Sequence, residues 1–145
     1  MRKWLCAVSV VAIVTVVLLC GAAHAEVRAQ LFEDVSGLVS YDEFVASESE
    51  FCTKVVFSTD SAVKDFKFLS IIMEGWDEEA SRPVFAVEEL HHQVELTPDR
   101  PLVVTLVFIG DIPNNGISWV DEEGVTRRFS VGLSGYDGSI EMGEF

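Results

Sequence analysis

The sequence predicts an all-β fold: an antiparallel β-sandwich of Ig-like or Greek-key type, preceded by a signal peptide and a short linker or helical segment. From about residue 51 onward, short runs rich in Val, Ile and Phe alternate with clusters of Gly, Pro, Asn and Asp, as strands alternate with turns. No amphipathic helix separates these runs, which argues against a parallel sheet built from βαβ units. The 145 residues fit a single domain.

The N-terminus has the order of a secretory signal peptide. A short basic region, Arg2-Lys3, precedes an apolar run over residues 4–19 that is interrupted by one Ser and one Thr. Ala23 and Ala25 then supply the small residues of an A-x-A cleavage pattern. We therefore expect cleavage after Ala25 and a mature chain that is secreted or extracytoplasmic.

Two other interpretations of this segment also export residues 26–145. The apolar run is long enough to remain as a single membrane anchor, since about 20 apolar residues span a bilayer. Alternatively, lipidation of Cys20 would hold the protein on the outer face, although the bulky Leu19 before it differs from the small residue usual at that position. The membrane is expected as a partner only in these two cases.

The composition of the mature chain changes at about residue 50. Residues 26–50 contain many small polar side chains and only short apolar spacings, and we expect a linker or a short helical segment there. Ser40 and Glu43 have the S-x-x-E spacing of a capping box, which predicts the start of a short helix. The sandwich domain is expected over residues 51–145.

Eight runs after residue 50 have the length and composition of strands. They are Cys52–Ser58, Val63–Glu74, Pro83–Leu90, Gln93–Leu96, Leu102–Ile109, Ile117–Asp121, Val125–Leu133 and Ser139–Met142. The run over Leu102–Ile109 is apolar at almost every position, which predicts a central strand buried on both faces. Residues 121–124 are expected to form a hairpin turn, and Trp119 is expected in the core.

The chain is strongly acidic, with 24 acidic and 10 basic side chains and a formal net charge of −14. Removing residues 1–25, which hold two basic and no acidic side chains, would change the charge to −16. Such a surface disfavours nucleic acid, which needs a basic face, and favours a basic protein, a cationic ligand or a divalent ion. Cys52 would be the one remaining cysteine, and a buried core position is the favoured interpretation for it.

The C-terminal part of the chain resembles a group of small exported bacterial proteins of unknown function. The resemblance rests on residues 111–129, DIPNNGISWVDEEGVTRRF, and on residues 134–139, SGYDGS. It covers the chain from about Val55 to the C-terminus. The resemblance implies an exported bacterial single domain, and it carries no catalytic residue onto this sequence.

His91 and His92 are the basis of one alternative function, a small secreted hydrolase. Such an enzyme would use one of these rings as the base for a serine or for Cys52. Adjacent residues of a strand point to opposite faces, so the two rings are not expected to share one metal. No G-x-S-x-G, P-loop, dinucleotide-binding or C-x-x-C motif occurs, so no catalytic residue is assigned.

A calcium-dependent binding module is a second alternative. Asp77, Asp121 and Asp137 lie in three acidic or Gly-containing turns that would meet if they shared one end of a sandwich. Hard cations favour such oxygen clusters, although no EF-hand loop is present. Ordinary turn chemistry explains the same residues, and no cofactor is otherwise expected.

The favoured function is a non-catalytic, exported, acidic β-sandwich that binds another macromolecule or serves as an accessory of an envelope assembly. Its expected partner is a protein or another cationic partner at the cell envelope, and not a nucleic acid. The expected contact surface is Trp76 with the acidic residues Asp77, Glu78 and Glu79 beside it. An exposed Trp76 would favour recognition, whereas a buried Trp76 would indicate core packing.

Overall fold

The computed structural model describes residues 25–145, so the expected signal-peptide segment and the alternative lipidation of Cys20 lie outside the described residues. The described chain folds into nine strands and one short 3-10 turn. They are β1 (Val27–Leu31), the 3-10 turn (Phe32–Asp34), β2 (Asp42–Val45), β3 (Thr53–Thr59), β4 (Val63–Asp77), β5 (Arg82–Leu96), β6 (Leu102–Leu106), β7 (Asn115–Val120), β8 (Thr126–Leu133) and β9 (Ile140–Glu144). No helix within these residues has the length and hydropathy needed to cross a membrane.

The strands form two sheets that enclose one core. The first sheet has the order β1-β3-β6-β2, and the second has the order β5-β4-β7-β8-β9. A β1-β3-β6 sheet facing a β5-β4-β7-β8 sheet follows the strand order of an Ig-type sandwich, so the predicted fold class is confirmed. One pairing departs from the expected antiparallel pattern, because β2 runs parallel to β6. The first sheet is therefore mixed.

Aromatic rings fill the centre of the core. The ring of Phe57 on β3 lies with its centroid 6.0 Å from those of Phe66 and Phe68 on β4, so the two sheets meet through these side chains. Trp119 on β7 is buried and stacks on Phe129, with the ring centroids 4.8 Å apart. The prediction that Trp119 belongs to the core is confirmed.

The interpretation of residues 26–50 as a linker or helical segment is wrong. This segment contains β1 and β2, which form the two edges of the first sheet. Phe44 of β2 turns toward the core while Glu43 and Val45 are exposed, and this alternation has the period of a strand rather than of a helix. Pairing with β6 thus overrides the local capping-box signal of Ser40 and Glu43.

Most of the predicted strand boundaries shift by one to three residues in the structure, and two changes matter for the site. The runs predicted as Pro83–Leu90 and Gln93–Leu96 are one strand, β5, and the two histidines lie inside it. The predicted strand Leu102–Ile109 ends as β6 at Leu106. The side-chain amides of Asn114 and Asn115 both donate to the carbonyl oxygen of Val107, at 3.2 and 3.1 Å, and so fix the chain in a loop there. Inside the first sheet, β6 is the expected central strand, with β3 and β2 on its two sides.

A bidentate ion pair joins the last two strands. The guanidinium of Arg127 on β8 donates to both carboxylate oxygens of Glu144 on β9, at 2.7 and 3.1 Å, and lies over the ring of Phe129. The hydrogen bonds from Arg127 are the main cause that lowers the pKa of Glu144, and the charges of Arg127 and Arg82 add to them. Any stabilisation by this pair is therefore present above the ordinary pKa of a glutamate and is lost as the pH falls through the lowered value.

Replacing Arg127 by Ala is expected to raise the pKa of Glu144 back to its ordinary range. An NMR titration of the side-chain carboxyl carbons measures this shift. Asp137 is the internal control, because hydrogen bonds from the hydroxyl and the backbone N–H of Ser139 lower its pKa and do not involve Arg127. An unchanged Glu144 midpoint in Arg127→Ala would contradict the ion pair.

Candidate functional site: a β-ribbon that extends beyond the sandwich

The β4–β5 hairpin continues past the end of its own sheet. The pairing of β4 with β7 ends at Ser70, which lies opposite Asn115, whereas the pairing of β4 with β5 continues to Asp77 and Arg82. Residues 72–86 therefore form a two-stranded extension with no third strand beside it among the described residues. We call this extension the ribbon. Its β4 arm alone extends about 17 Å at the usual rise per residue.

The ribbon is fixed to the sandwich at its root. Ile71, the last residue before it, is buried, and its backbone N–H donates to the carbonyl of Asn114 at 3.1 Å. Gly116 on β7 makes room for Ile71, since a Cβ at position 116 would lie 3.1 Å from the Ile71 Cγ2 atom and 3.0 Å from the carbonyl oxygen of Phe129. Higher up, the ring of Phe85 packs edge-on against that of Phe145, with centroids 4.8 Å apart.

The ribbon exposes an unusual amount of apolar surface. Ile72 is 68% exposed and Trp76 is 57% exposed. Met73 and Val84 of the ribbon are exposed as well, and so is Val87 at its root. A two-stranded ribbon has too few neighbours to cover its side chains, so its apolar residues remain in contact with water. The exposure of Trp76 is the outcome that favours recognition over core packing.

The acidic residues of the predicted contact surface form the tip of the ribbon. The side chain of Asp77 accepts hydrogen bonds from the backbone N–H groups of Glu79 and Ala80, at 3.0 and 3.1 Å, and so closes the turn. Glu78 and Glu79 are exposed and point their charge into solvent. Of the four predicted residues, Asp77 therefore shapes the turn, while Trp76, Glu78 and Glu79 are available to a partner.

Sequence reasoning missed a second apolar surface at the same end of the sandwich. The loop between β6 and β7 and the end of β8 line a cavity of about 230 Å³, and exposed Ile109, Ile112 and Leu133 are among its walls. Tyr136, in the turn after β8, is almost fully exposed. The loop lies beside the ribbon root, because Asn114 accepts the hydrogen bond of Ile71. The sequence predicts residues 107–109 as the end of a strand because they are apolar, so this loop is not expected from the sequence.

The two histidines point in different directions, as expected for neighbours on a strand. The ring of His91 stacks on Phe44, with centroids 4.6 Å apart, and its Nε2 bonds the side chain of Gln93. The Nε2 of His92 bonds the carboxylate of Asp65, which is held at a positive φ of 54°. Neither ring makes a hydrogen bond to a serine or a cysteine among the described contacts.

Cys52 does not occupy the buried core position favoured from the sequence. It is half-buried just before β3, where its thiol donates to the carbonyl of Ser47 and accepts the N–H of Ser49. These contacts close a short loop of the first sheet, whereas His91 and His92 belong to the second sheet. Among the described residues, no hydrogen bond joins Cys52 to either histidine, as the hydrolase alternative would require.

The three candidate calcium ligands do not converge. Asp121 lies in the β7–β8 turn, at the end of the second sheet opposite to the turns that hold Asp77 and Asp137, because β7 runs antiparallel to β4. Each carboxylate bonds its own turn, as Asp121 does with the N–H groups of Glu123 and Val125 at 2.9 Å. No group of three or more His, Cys, Asp or Glu side chains within residues 25–145 is arranged to hold a metal ion.

No protein-family model matches this chain, and no curated protein or solved structure is significantly similar to it. The resemblance to small exported bacterial proteins therefore stays a prediction. What the chain does has to be inferred from its own surface, on which the ribbon is the feature best suited to contact another molecule.

Proposed function

We propose that this protein is an exported, non-catalytic binding or accessory module, and that it contacts a protein partner through the ribbon. The observation that carries this proposal is the exposure of Trp76 and Ile72 on the part of the β4–β5 hairpin that continues past the pairing of β4 with β7. Export itself rests on the order of basic, apolar and small residues before residue 26.

The exposed side chains of the ribbon suit the centre of a protein interface. Tryptophan is enriched among the residues that contribute most to binding, since it buries a large apolar area and carries one hydrogen-bond donor. Burying the exposed part of Trp76 would contribute about 2 kcal/mol to association. The ribbon thus offers an anchor, with the smaller apolar residues around it to exclude water.

Charge indicates the kind of partner. Glu74, Glu78 and Glu79 surround the apolar residues of the ribbon, and Arg82 is the basic residue nearest to them in the chain. The whole protein is acidic as well, with a formal net charge of −14. A partner surface with basic residues around an apolar patch would be complementary and would associate faster at low salt.

Replacing Trp76 by Ala is expected to weaken partner binding by about tenfold or more and to change stability by less than about 0.5 kcal/mol, because the side chain is largely exposed. Immobilised protein (residues 25–145, which hold every described strand) is crosslinked in cell-envelope extract. Captured proteins are then compared between the wild type and the variant, at low and high salt.

Val39→Ser is the matched control, since Val39 is 93% exposed and lies in the loop before β2, away from the ribbon. We expect Val39→Ser to capture the same basic protein as the wild type, and Trp76→Ala to lose it. Equal capture by both variants, or no specific capture by the wild type, would contradict binding through the ribbon.

A further inference from the structure

We propose that the ribbon binds its partner by strand addition: an extended basic segment of the partner pairs with the free edge of β5 between Phe85 and Glu89. This inference rests on the proposed function and names the mode of binding. β5 is an edge strand that pairs with β4 alone, and no described strand lies along its other side. Extended peptides add to such edges through main-chain hydrogen bonds.

The direction of one hydrogen bond shows which groups face the free edge. The N–H of Ile71 on β4 donates to Asn114, on the β7 side, and so points away from β5. Ile71 and its β5 partner Val87 are therefore a non-hydrogen-bonded antiparallel pair, in which Val87 directs its own N–H and C=O away from β4. Phe85 and Glu89 pair in the same phase and do likewise.

The residues at the two limits of this edge agree with that assignment. Pro83 falls in the same phase, and a proline in a strand is tolerated where its nitrogen faces the free side of an edge. At the other limit, the ring of Phe44 from the first sheet stacks on His91. Phe85, Val87 and Glu89 therefore each direct an N–H and a C=O toward the free edge. This stretch of edge lies between Pro83 and His91, and the ring of Phe44 covers His91.

The side chains along this edge select a basic segment. Glu88 and Glu89 are exposed on opposite faces of β5, next to apolar Val87, and the Glu89 carboxylate lies 3.9 Å from the Lys67 ammonium. An added strand places side chains beside these residues, so Lys or Arg there would neutralise Glu88 and complete the neutralisation of Glu89, while an apolar residue would cover Val87. A second copy of this chain offers no such charge pairing, since antiparallel self-pairing about Val87 would place Glu88 opposite Ala86 and Glu89 opposite Phe85.

Hydrogen exchange with a defined peptide tests the proposal. The probe is an end-blocked peptide of about nine alternating Lys and Val residues, long enough to form one strand. At about 1 mM probe, we expect the exchange of the Val87 and Glu89 amides to slow about tenfold or more. The same peptide N-methylated at every residue, so that neither of its edges can donate, and a peptide of alternating Glu and Val are expected to have no effect.

Two variants separate the main chain from the side chain. Val87→Pro removes an outward N–H and should weaken binding of the Lys-Val peptide by about tenfold, whereas Val87→Ala keeps the N–H and should bind within about threefold of wild type. Circular dichroism confirms that both remain folded. Should Val87→Pro not fold, the N-methylated peptide alone decides the question.

Equal binding of the plain and N-methylated peptides would overturn strand addition, as would unprotected edge amides at about 1 mM probe. Dimerisation through the same amides would also overturn it, in favour of self-association. If these results are obtained but Trp76→Ala still fails to capture the basic protein, strand addition is wrong and the proposed function is retained. If Trp76→Ala captures that protein as well as the wild type does, the proposed function itself is wrong.

Discussion

Deleting residues 26–50 is expected to abolish cooperative folding. This segment supplies β1, which pairs with β3 over five residues, and β2, which pairs with β6 over four. It also supplies Val27, which is buried, and Phe44, whose ring packs against that of Phe68. The lost burial is about 2 kcal/mol for each of these two side chains, and β3 and β6 would both become open edges. That total approaches the whole stability of a domain, about 5–15 kcal/mol.

Urea unfolding followed by near-UV circular dichroism measures this result. The deletion variant is expected to lack a sigmoidal transition, whereas the chain with Val39→Ser in the same segment should unfold like the wild type. A deletion variant with the wild-type midpoint would mean that residues 26–50 are a linker after all, and that the sandwich is complete from residue 51.

Truncating Phe68 to Ala is expected to lower the free energy of unfolding by about 3–5 kcal/mol. Phe68 is fully buried on β4 and touches the rings of Phe57 and Phe44 from the opposite sheet, so its loss leaves a cavity where the two sheets meet. The measurement is the urea midpoint at unchanged slope.

Phe51→Ala is the matched control for Phe68→Ala, because the ring of Phe51 is 75% exposed. We expect its unfolding free energy to stay within about 0.5 kcal/mol of the wild type. Similar losses in both variants would show that Phe68 is not a centre of the core. Binding by the ribbon should survive Phe51→Ala, since the residue lies in the turn before β3.

The strands of the second sheet were largely predictable, because the positions of their apolar residues match the positions that are buried. Apolar residues alternate with polar ones along much of β7 and β8, and the expected turn at residues 121–124 has a positive φ at Gly124. β2 was not predictable, since its four residues carry a helix-start signal and its pairing with β6 is long-range. Local propensity is weak compared with such tertiary pairing.

The candidate site was predictable in part. Acidic residues beside a tryptophan indicated the tip of the ribbon, and the exposure of Trp76 agrees with that choice. The length of the ribbon was hidden, because the sequence does not state where β7 stops pairing with β4. The free edge of β5 was hidden for the same reason: sheet order decides which strand lacks a neighbour, and no local pattern encodes sheet order.

The layout of the first sheet has a consequence for how this chain folds. Its two edge strands come from residues 27–45, but the strands they flank end at residues 59 and 106. β1 therefore gains its partner once residue 59 has been added, whereas β2 has none until residue 106 has been added. Folding dominated by such distant pairings is slow. A newly made chain would thus lack a complete first sheet until late in synthesis, which would suit the export that we propose.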